Sequence, residues 1–190
     1  MAKNTKVFIA GSRGLSRLSG EVLRRLDNIV EKRLTVLIGD ANGVDKAVQN
    51  YLYGKHYGEV VVFCMEGKCR NNIGNWPINS IGAVEPSRRD FAYFSTKDRA
   101  MVRECNYGLM LWNGLSRGTL TSIINLVKQE KPAVVYVAGN RRFFTLRDSD
   151  CLTNMLKQVA PSALQNAEGE LRTLTVTGSS SHGPNRAQLF

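Results

Sequence analysis

The sequence is poor in residues on which many enzymes rely. It holds only two histidines, His56 and His182, which leaves few candidates for histidine-based catalysis. Its four cysteines include one close pair, Cys64 and Cys69, but without a second pair or a nearby histidine this spacing is a poor zinc signal. We therefore expect four free thiols, no metal and no cofactor.

Long apolar runs are also missing. No segment reaches the length of a membrane span, and the first residues are too poor in apolar side chains for a signal peptide. Together with the expected free thiols, these absences predict a cytoplasmic protein with no membrane contact. The 190 residues are enough for one domain with a proper core.

Positive charge, by contrast, is in excess. The formal net charge is +10, and residues 1–139 hold 20 Lys and Arg against 12 Asp and Glu. This balance favours an anionic partner, although the basic residues are spread along the chain rather than gathered in one run. A small anion and a nucleic acid are both candidate partners.

Residues 107–121 have the pattern of a strand, a glycine turn and a helix. The apolar run up to Trp112 predicts a buried parallel strand, and the apolar spacing after the turn predicts a helix. Free backbone N–H groups and the positive end of the helix dipole then face one point, where a phosphate fits. Many α/β proteins have such turns without a ligand, so the motif leaves binding open. The turn contains Ser116, Arg117, Gly118 and Thr119.

Two similar turns follow the first and second predicted strands. Asp45, in the second turn, is suited either to cap the following helix or to accept a hydrogen bond from a ribose hydroxyl. The first turn contains Gly11, Ser12 and Arg13, and the second contains Gly39, Asp40, Gly43 and Asp45.

The alternation of apolar strands with amphipathic helices predicts an α/β fold. We expect a Rossmann-like, doubly wound parallel sheet of about five strands with helices on both faces. The three glycine turns should meet at the carboxyl edge of this sheet, where open α/β sheets bind ligands. The domain should cover residues 1–160, with residues 65–94 as an insert or lid loop and residues 161–190 as a flexible tail.

A helix is also predicted over residues 95–104, before the third turn. Ser95 is its expected N-cap, with Asp98 in the position that completes a capping box. Arg99 and Arg103 lie four residues apart and share one face of this helix.

The three turns and this helix together resemble a known superfamily. VFIAGSRG, VLIGDANGVDKAVQ and KDRAMVRECNYGLMLWNGLSRGT are similar to segments of the SLOG superfamily, over roughly residues 6–137. This Rossmann-like group includes the Lonely-guy phosphoribohydrolases, the DprA/Smf DNA-processing proteins and the small YspA-like proteins, which this chain resembles most. The resemblance implies that a nucleotide or nucleoside derivative binds across the turns.

The resemblance also implies roles for particular residues. Arg99 matches the arginine that Lonely-guy enzymes use at the ribose phosphate. The other matches are Gly11 and Ser12 in the first turn, Gly39 and Gly43 in the second, and Gly118 and Thr119 at the phosphate.

At one position the sequence departs from the hydrolases of this superfamily. They carry a catalytic glutamate three residues after the threonine, where this chain has Ser122. The chemistry needs a carboxylate, which only Asp40, Asp45, Asp98 or Glu104 could supply here. The catalytic residues are therefore unknown, and Arg99, Asp40 and Asp45 are the candidates.

Three functions remain open. The first is binding of a nucleotide or phosphorylated nucleoside derivative, as a sensor or binding module. The second is hydrolysis of the N-glycosidic bond in nucleoside monophosphates, and the third is DNA binding of the DprA type. Relatives in the superfamily often pair through helices beside the sheet, so the resemblance also implies a homo-oligomer, most simply a dimer.

Overall fold

A computed structural model of the chain describes residues 5–82 and 91–164. Within these ranges the chain alternates between strands and helices, as the sequence pattern predicts. In chain order the elements are β1 (Lys6–Gly11), α1 (Gly20–Glu31), β2 (Thr35–Ile38), α2 (Val44–Gly54), β3 (Val60–Met65), β4 (Ile78–Ile81), α3 (Phe91–Glu104), β5 (Tyr107–Trp112), α4 (Arg117–Lys128), β6 (Ala133–Val137), β7 (Arg142–Leu146) and α5 (Ser149–Val159).

The described strands form one seven-stranded sheet in the order β4-β3-β2-β1-β5-β6-β7. Every neighbouring pair is parallel except β6 and β7, which run antiparallel. The predicted Rossmann-like α/β fold is confirmed, with two more strands than expected. Both extra strands, β4 and β7, lie at the edges of the sheet and are largely exposed or half-buried, so they lack the continuous apolar run of a central strand.

Helices cover both faces of the sheet, as expected. Val7 and Ile9 of β1 belong to one core with α1 and α2, whereas Phe8 belongs to a second core with α3, α4 and α5. This division follows from the two-residue period of a strand, which sends successive side chains to opposite faces. Each face therefore fixes one group of helices, and with them the turns at the carboxyl edge.

The helix ends show two side-chain caps and correct one predicted cap. Ser19 caps α1 and Asp148 caps α5 through their side chains. Ser95 does not cap α3, because this helix begins at Phe91, so the predicted capping box with Asp98 is also wrong. The helix extends about one turn before Ser95, and a serine inside a helix has the same sequence pattern as an N-cap.

Two predicted segments fall partly outside the described residues. The described part of the insert, residues 65–82, forms the loop before β4 and β4 itself. Residues 83–90 of the insert and residues 165–190 of the predicted tail lie outside the described residues.

The cysteines differ from the expectation of four free thiols. Cys64 at the end of β3 and Cys69 in the following loop form a disulfide, whereas Cys105 and Cys151 are free. The chain turns back between them because Glu66 and Gly67 both have positive φ angles, 53° and 70°, which leaves the two Cα atoms 5.1 Å apart. Disulfides form and persist mainly in oxidising compartments. The prediction of a cytoplasmic protein from free thiols therefore finds no support in Cys64 and Cys69.

Across the described ranges, each helix is too short or too polar to cross a membrane.

Candidate functional site

The site lies at the point in the sheet where the strand order reverses. From β1 the chain builds β2, β3 and β4 on one side of the sheet, and β5, β6 and β7 on the other. The carboxyl ends of β1 and β5 therefore border a crevice, which is where open α/β sheets bind ligands. Ser12 joins the two strand ends, because its N–H donates to the Leu111 oxygen at 2.9 Å and its Oγ accepts from the Asn113 N–H at 3.1 Å.

A cavity of about 350 Å³ occupies this crevice. Its volume is in the range of small-molecule sites. Six predicted binding residues and one predicted catalytic candidate line this cavity, so the three glycine turns do meet at one place. These residues are Gly11, Ser12, Arg13, Ser116, Gly118, Thr119 and Asp45. Of the residues predicted in the second turn, only Asp45 lines the cavity.

The N-terminus of α4 forms part of the cavity wall. Ser116 caps this helix, and its Oγ accepts hydrogen bonds from the Thr119 N–H at 3.4 Å and from Thr119 Oγ1 at 3.1 Å. Within the described part of the chain the Gly118 N–H has no protein acceptor. The helix end thus offers an amide and a dipole to an anion, with the Gly118 amide more available than that of Thr119.

Asn113 is a cavity residue that the sequence analysis did not select. Its Oδ1 accepts hydrogen bonds from Ser12 Oγ at 3.0 Å, from the Leu115 N–H at 3.0 Å and from the Ser116 N–H at 2.8 Å. The side chain therefore holds the turn before α4 in place. An asparagine at the start of a turn is a recognisable signal for this role.

Five predicted binding residues do not line the cavity: Gly39, Asp40, Gly43, Arg99 and Arg117. The two arginines are exposed. The glycines allow close packing: Gly43 has φ +82°, and a Cβ there would collide with the Arg13 backbone. A Cβ on Gly39 would lie 2.5 Å from Asp45 Oδ2 and 2.6 Å from Lys97 Nζ, so this glycine makes room for two charged side chains.

Asp40 is buried and held by Arg70, a cavity residue from the loop after β3. Arg70 donates from Nη2 to Oδ1 at 2.7 Å and from Nε and its backbone N–H to Oδ2 at 3.0 and 3.1 Å. Burial by itself raises the pKa of a carboxyl, but these bonds and the charge of Lys97 outweigh it and hold the pKa of Asp40 below its usual value. Asp40 is therefore an ionised structural anchor behind the cavity wall.

Asp45 does not cap α2, which was one of the two roles that the sequence left open. Gly43 is the N-cap residue, and Asp45 Oδ2 accepts instead from the Ala41 N–H at 3.1 Å, outside the helix. Burial is the largest influence on this carboxyl and raises its pKa to about 6, against the opposing charge of Lys97. Asp45 can therefore change its charge near neutral pH.

Lys97 of α3 completes a buried charge cluster and was missed by the sequence analysis. It is 4% exposed, and its Nζ lies 3.2 Å from Asp98 Oδ1 and 3.7 Å from Asp40 Oδ1. Burial by itself lowers the pKa of a lysine, but the nearby carboxylates of Asp98, Asp45 and Asp40 outweigh it and raise the pKa of Lys97. One signal was available: Lys97 lies four residues before Met101 on the buried stripe of its helix.

The two remaining candidates for a catalytic acid, Asp98 and Glu104, lie in different parts of the structure. Asp98 lines the cavity, whereas Glu104 pairs with Lys6 at 3.2 Å at the other end of α3. Ser122 lines the cavity too, but its hydroxyl donates to the Gly118 carbonyl at 3.2 Å. Within the described ranges, no group of three His, Cys, Asp or Glu side chains is arranged to hold a metal ion.

The fold is similar to that of DNA processing protein A. The structure of that protein from Helicobacter pylori, described for its single-stranded DNA binding mode, matches with a TM-score of 0.57 at 18% identity, over 91% of this chain and 81% of that one. The structure from Streptococcus pneumoniae matches with a TM-score of 0.54 at 15% identity, over 87% of this chain and 61% of that one. No family model and no curated protein matches the sequence. Identities this low show a shared Rossmann-like fold and nothing finer.

Proposed function

We propose that this protein binds single-stranded nucleic acid, with one nucleotide seated in the cavity between β1 and β5. The observation that carries the proposal is the cavity itself, at the switch point of a fold shared with a single-stranded DNA-binding protein. The net charge of +10 supports a polyanionic partner. This order reverses that of the sequence analysis, in which a free nucleotide came first, and membership of the SLOG superfamily remains part of the proposal.

In this proposal the phosphate lies at the N-terminus of α4, on the Gly118 amide, with Arg13 at the rim of the cavity. An amide at a helix N-terminus and a guanidinium are both common phosphate ligands in nucleic-acid complexes. Such contacts give affinity without sequence preference. We therefore expect binding that depends strongly on salt.

The test is fluorescence anisotropy with a labelled single-stranded oligonucleotide, titrated at several salt concentrations. Arg13→Ala should weaken binding to all sequences and reduce the slope of log K against log salt by about 0.7, as expected for one lost phosphate contact. The charge-matched control is Arg99→Ala, because Arg99 is exposed and does not line the cavity. An equal loss in both variants would place the nucleic acid outside the cavity.

A free nucleotide or nucleoside derivative is the second candidate. The cavity favours it through its volume of about 350 Å³, which suits one small molecule. Calorimetry with nucleoside monophosphates distinguishes the two. Tight binding of a monophosphate, together with weak oligonucleotide binding at physiological salt, would support this candidate over the first.

A further inference from the structure

Asp45 is a buried residue whose carboxylate lines the cavity, and only one of its two oxygens is hydrogen-bonded to the protein. Its Oδ2 accepts from the Ala41 N–H, and no described residue provides a hydrogen bond to Oδ1. The ion pairs of Lys97 are with Asp98 and Asp40. Among the described residues, Thr35 Oγ1 is the one fully buried side-chain atom without a partner, so Asp45 Oδ1 is reached from the cavity and can accept a hydrogen bond from a molecule bound there.

The cavity lining carries two kinds of chemistry. Gly118 and its neighbours at the start of α4 offer an N–H group and the positive end of a helix dipole, which suit an anion. Asp45 from α2 and Asp98 from α3 offer carboxylates, which suit hydrogen-bond donors. A nucleotide carries both kinds of group, since its phosphate is an anion and its sugar and base carry O–H and N–H donors.

We propose that Asp45 recognises a hydrogen-bond donor of the bound nucleotide, either a sugar hydroxyl or an amino group of the base. The proposal rests on the proposed function and adds a basis for selectivity to it. Lys97 acts as a positioning residue: its positive charge keeps Asp45 ionised. An ionised acceptor makes a hydrogen bond roughly twice as strong as a neutral one.

Charge around Asp45 makes this recognition depend on pH. The groups that face it are Asp40 after β2, Arg70 after β3, and Lys97 and Asp98 on α3. Because burial raises the pKa of Asp45 to about 6, it is ionised above that pH and neutral below it. The preference for a donor-bearing ligand should therefore be full at about pH 8 and reduced at about pH 5.

The experiment compares short single-stranded oligonucleotides that differ by one group. Deoxyadenosine, adenosine and deoxynebularine oligomers separate the two sources of the donor, because the second adds the 2′-hydroxyl and the third lacks the amino group. Wild-type protein should bind one donor-bearing oligomer about tenfold more tightly than its donor-free counterpart. Asp45→Asn should reduce this preference and Asp45→Ala should abolish it, with little change in affinity for the donor-free oligomer.

Glu104→Gln is the control, because it removes one carboxylate from α3 outside the cavity and should keep the full preference. Three results would overturn this inference and leave the proposed function standing. They are a wild-type protein that binds all oligomers equally, an Asp45→Ala variant that loses the same affinity for all oligomers, and a preference that does not change with pH. Absence of binding to every oligomer would instead overturn the proposed function.

Discussion

The guanidinium of Arg70 holds the buried carboxylate of Asp40 with two parallel hydrogen bonds, of 2.7 Å from Nη2 to Oδ1 and 3.0 Å from Nε to Oδ2. This pair ties the loop after β3 to the end of β2. The backbone N–H of Arg70 adds a third bond to the same carboxylate. Since Arg70 also lines the cavity, the pair supports one wall of the candidate site.

Arg70→Ala should lower the free energy of unfolding by about 1–3 kcal/mol at neutral pH, because it removes two bonds to a buried charge. The pKa of Asp40 is below its usual value, so its ionised form stabilises the fold above about pH 4 and this contribution is lost as the pH falls further. Urea unfolding of wild type and variant should therefore differ at about pH 7 and converge at about pH 3. Arg99→Ala, an exposed control, should stay within about 0.5 kcal/mol of wild type at both.

Asp45→Asn should stabilise the protein at alkaline pH. Because the pKa of Asp45 is raised to about 6 in the folded state, ionisation costs the wild type stability as the pH rises from about 4 to about 6. The asparagine side chain does not ionise, so the free energy of unfolding of the variant should exceed that of the wild type by about 1–3 kcal/mol at about pH 8 and should equal it near pH 4. Thermal unfolding across this range measures the difference. A gain that does not vary with pH would contradict the assignment.

Gly118→Leu should weaken ligand binding about tenfold or more, because it adds a bulky side chain at a residue that lines the cavity beside the proposed phosphate position. The fold should survive, since leucine is favoured over glycine inside a helix. Gly54→Leu is the matched control: it lies at the end of α2, where an added Cβ meets open space. Anisotropy titrations and melting curves of both variants test this, and normal binding by Gly118→Leu would exclude the α4 site.

Hydrolysis of nucleoside monophosphates should be negligible even where they bind. Ser122 stands where the hydrolases of the resembled superfamily have glutamate, and its hydroxyl is hydrogen-bonded to a backbone carbonyl rather than to a base. General acid–base catalysis is typically worth a factor of about 10²–10⁴, which a serine in this setting does not supply. Chromatography for free base and ribose 5-phosphate measures turnover. If turnover occurs, its loss in Asp45→Asn or Asp98→Asn would identify the acid.

The proposed dimer remains a prediction, and light scattering against the monomer mass of 21.1 kDa would decide it.

The candidate site shows where sequence patterns succeed and where they stop. Gly11, Ser12, Gly118 and Thr119 were predicted and do line the cavity, because a glycine turn after a strand is a local feature of the sequence. Arg99 was predicted by resemblance, but it is exposed and does not line the cavity. The face of α3 that packs inward carries Lys97 and Met101, and Arg99 lies on another face.

The sequence by itself determined the α/β fold and the meeting of the glycine turns at one sheet edge, because these follow from local periodicity and from the parallel topology. Only the tertiary structure decided which charges are buried together. Asp40 and Asp45 share the turn after β2, whereas Arg70 follows β3 and Lys97 lies on α3. The pairing of these charges therefore depends on how α3 and the loop after β3 pack against the end of β2. No local pattern encodes that contact, since desolvation and charge pairing act between residues distant in the chain.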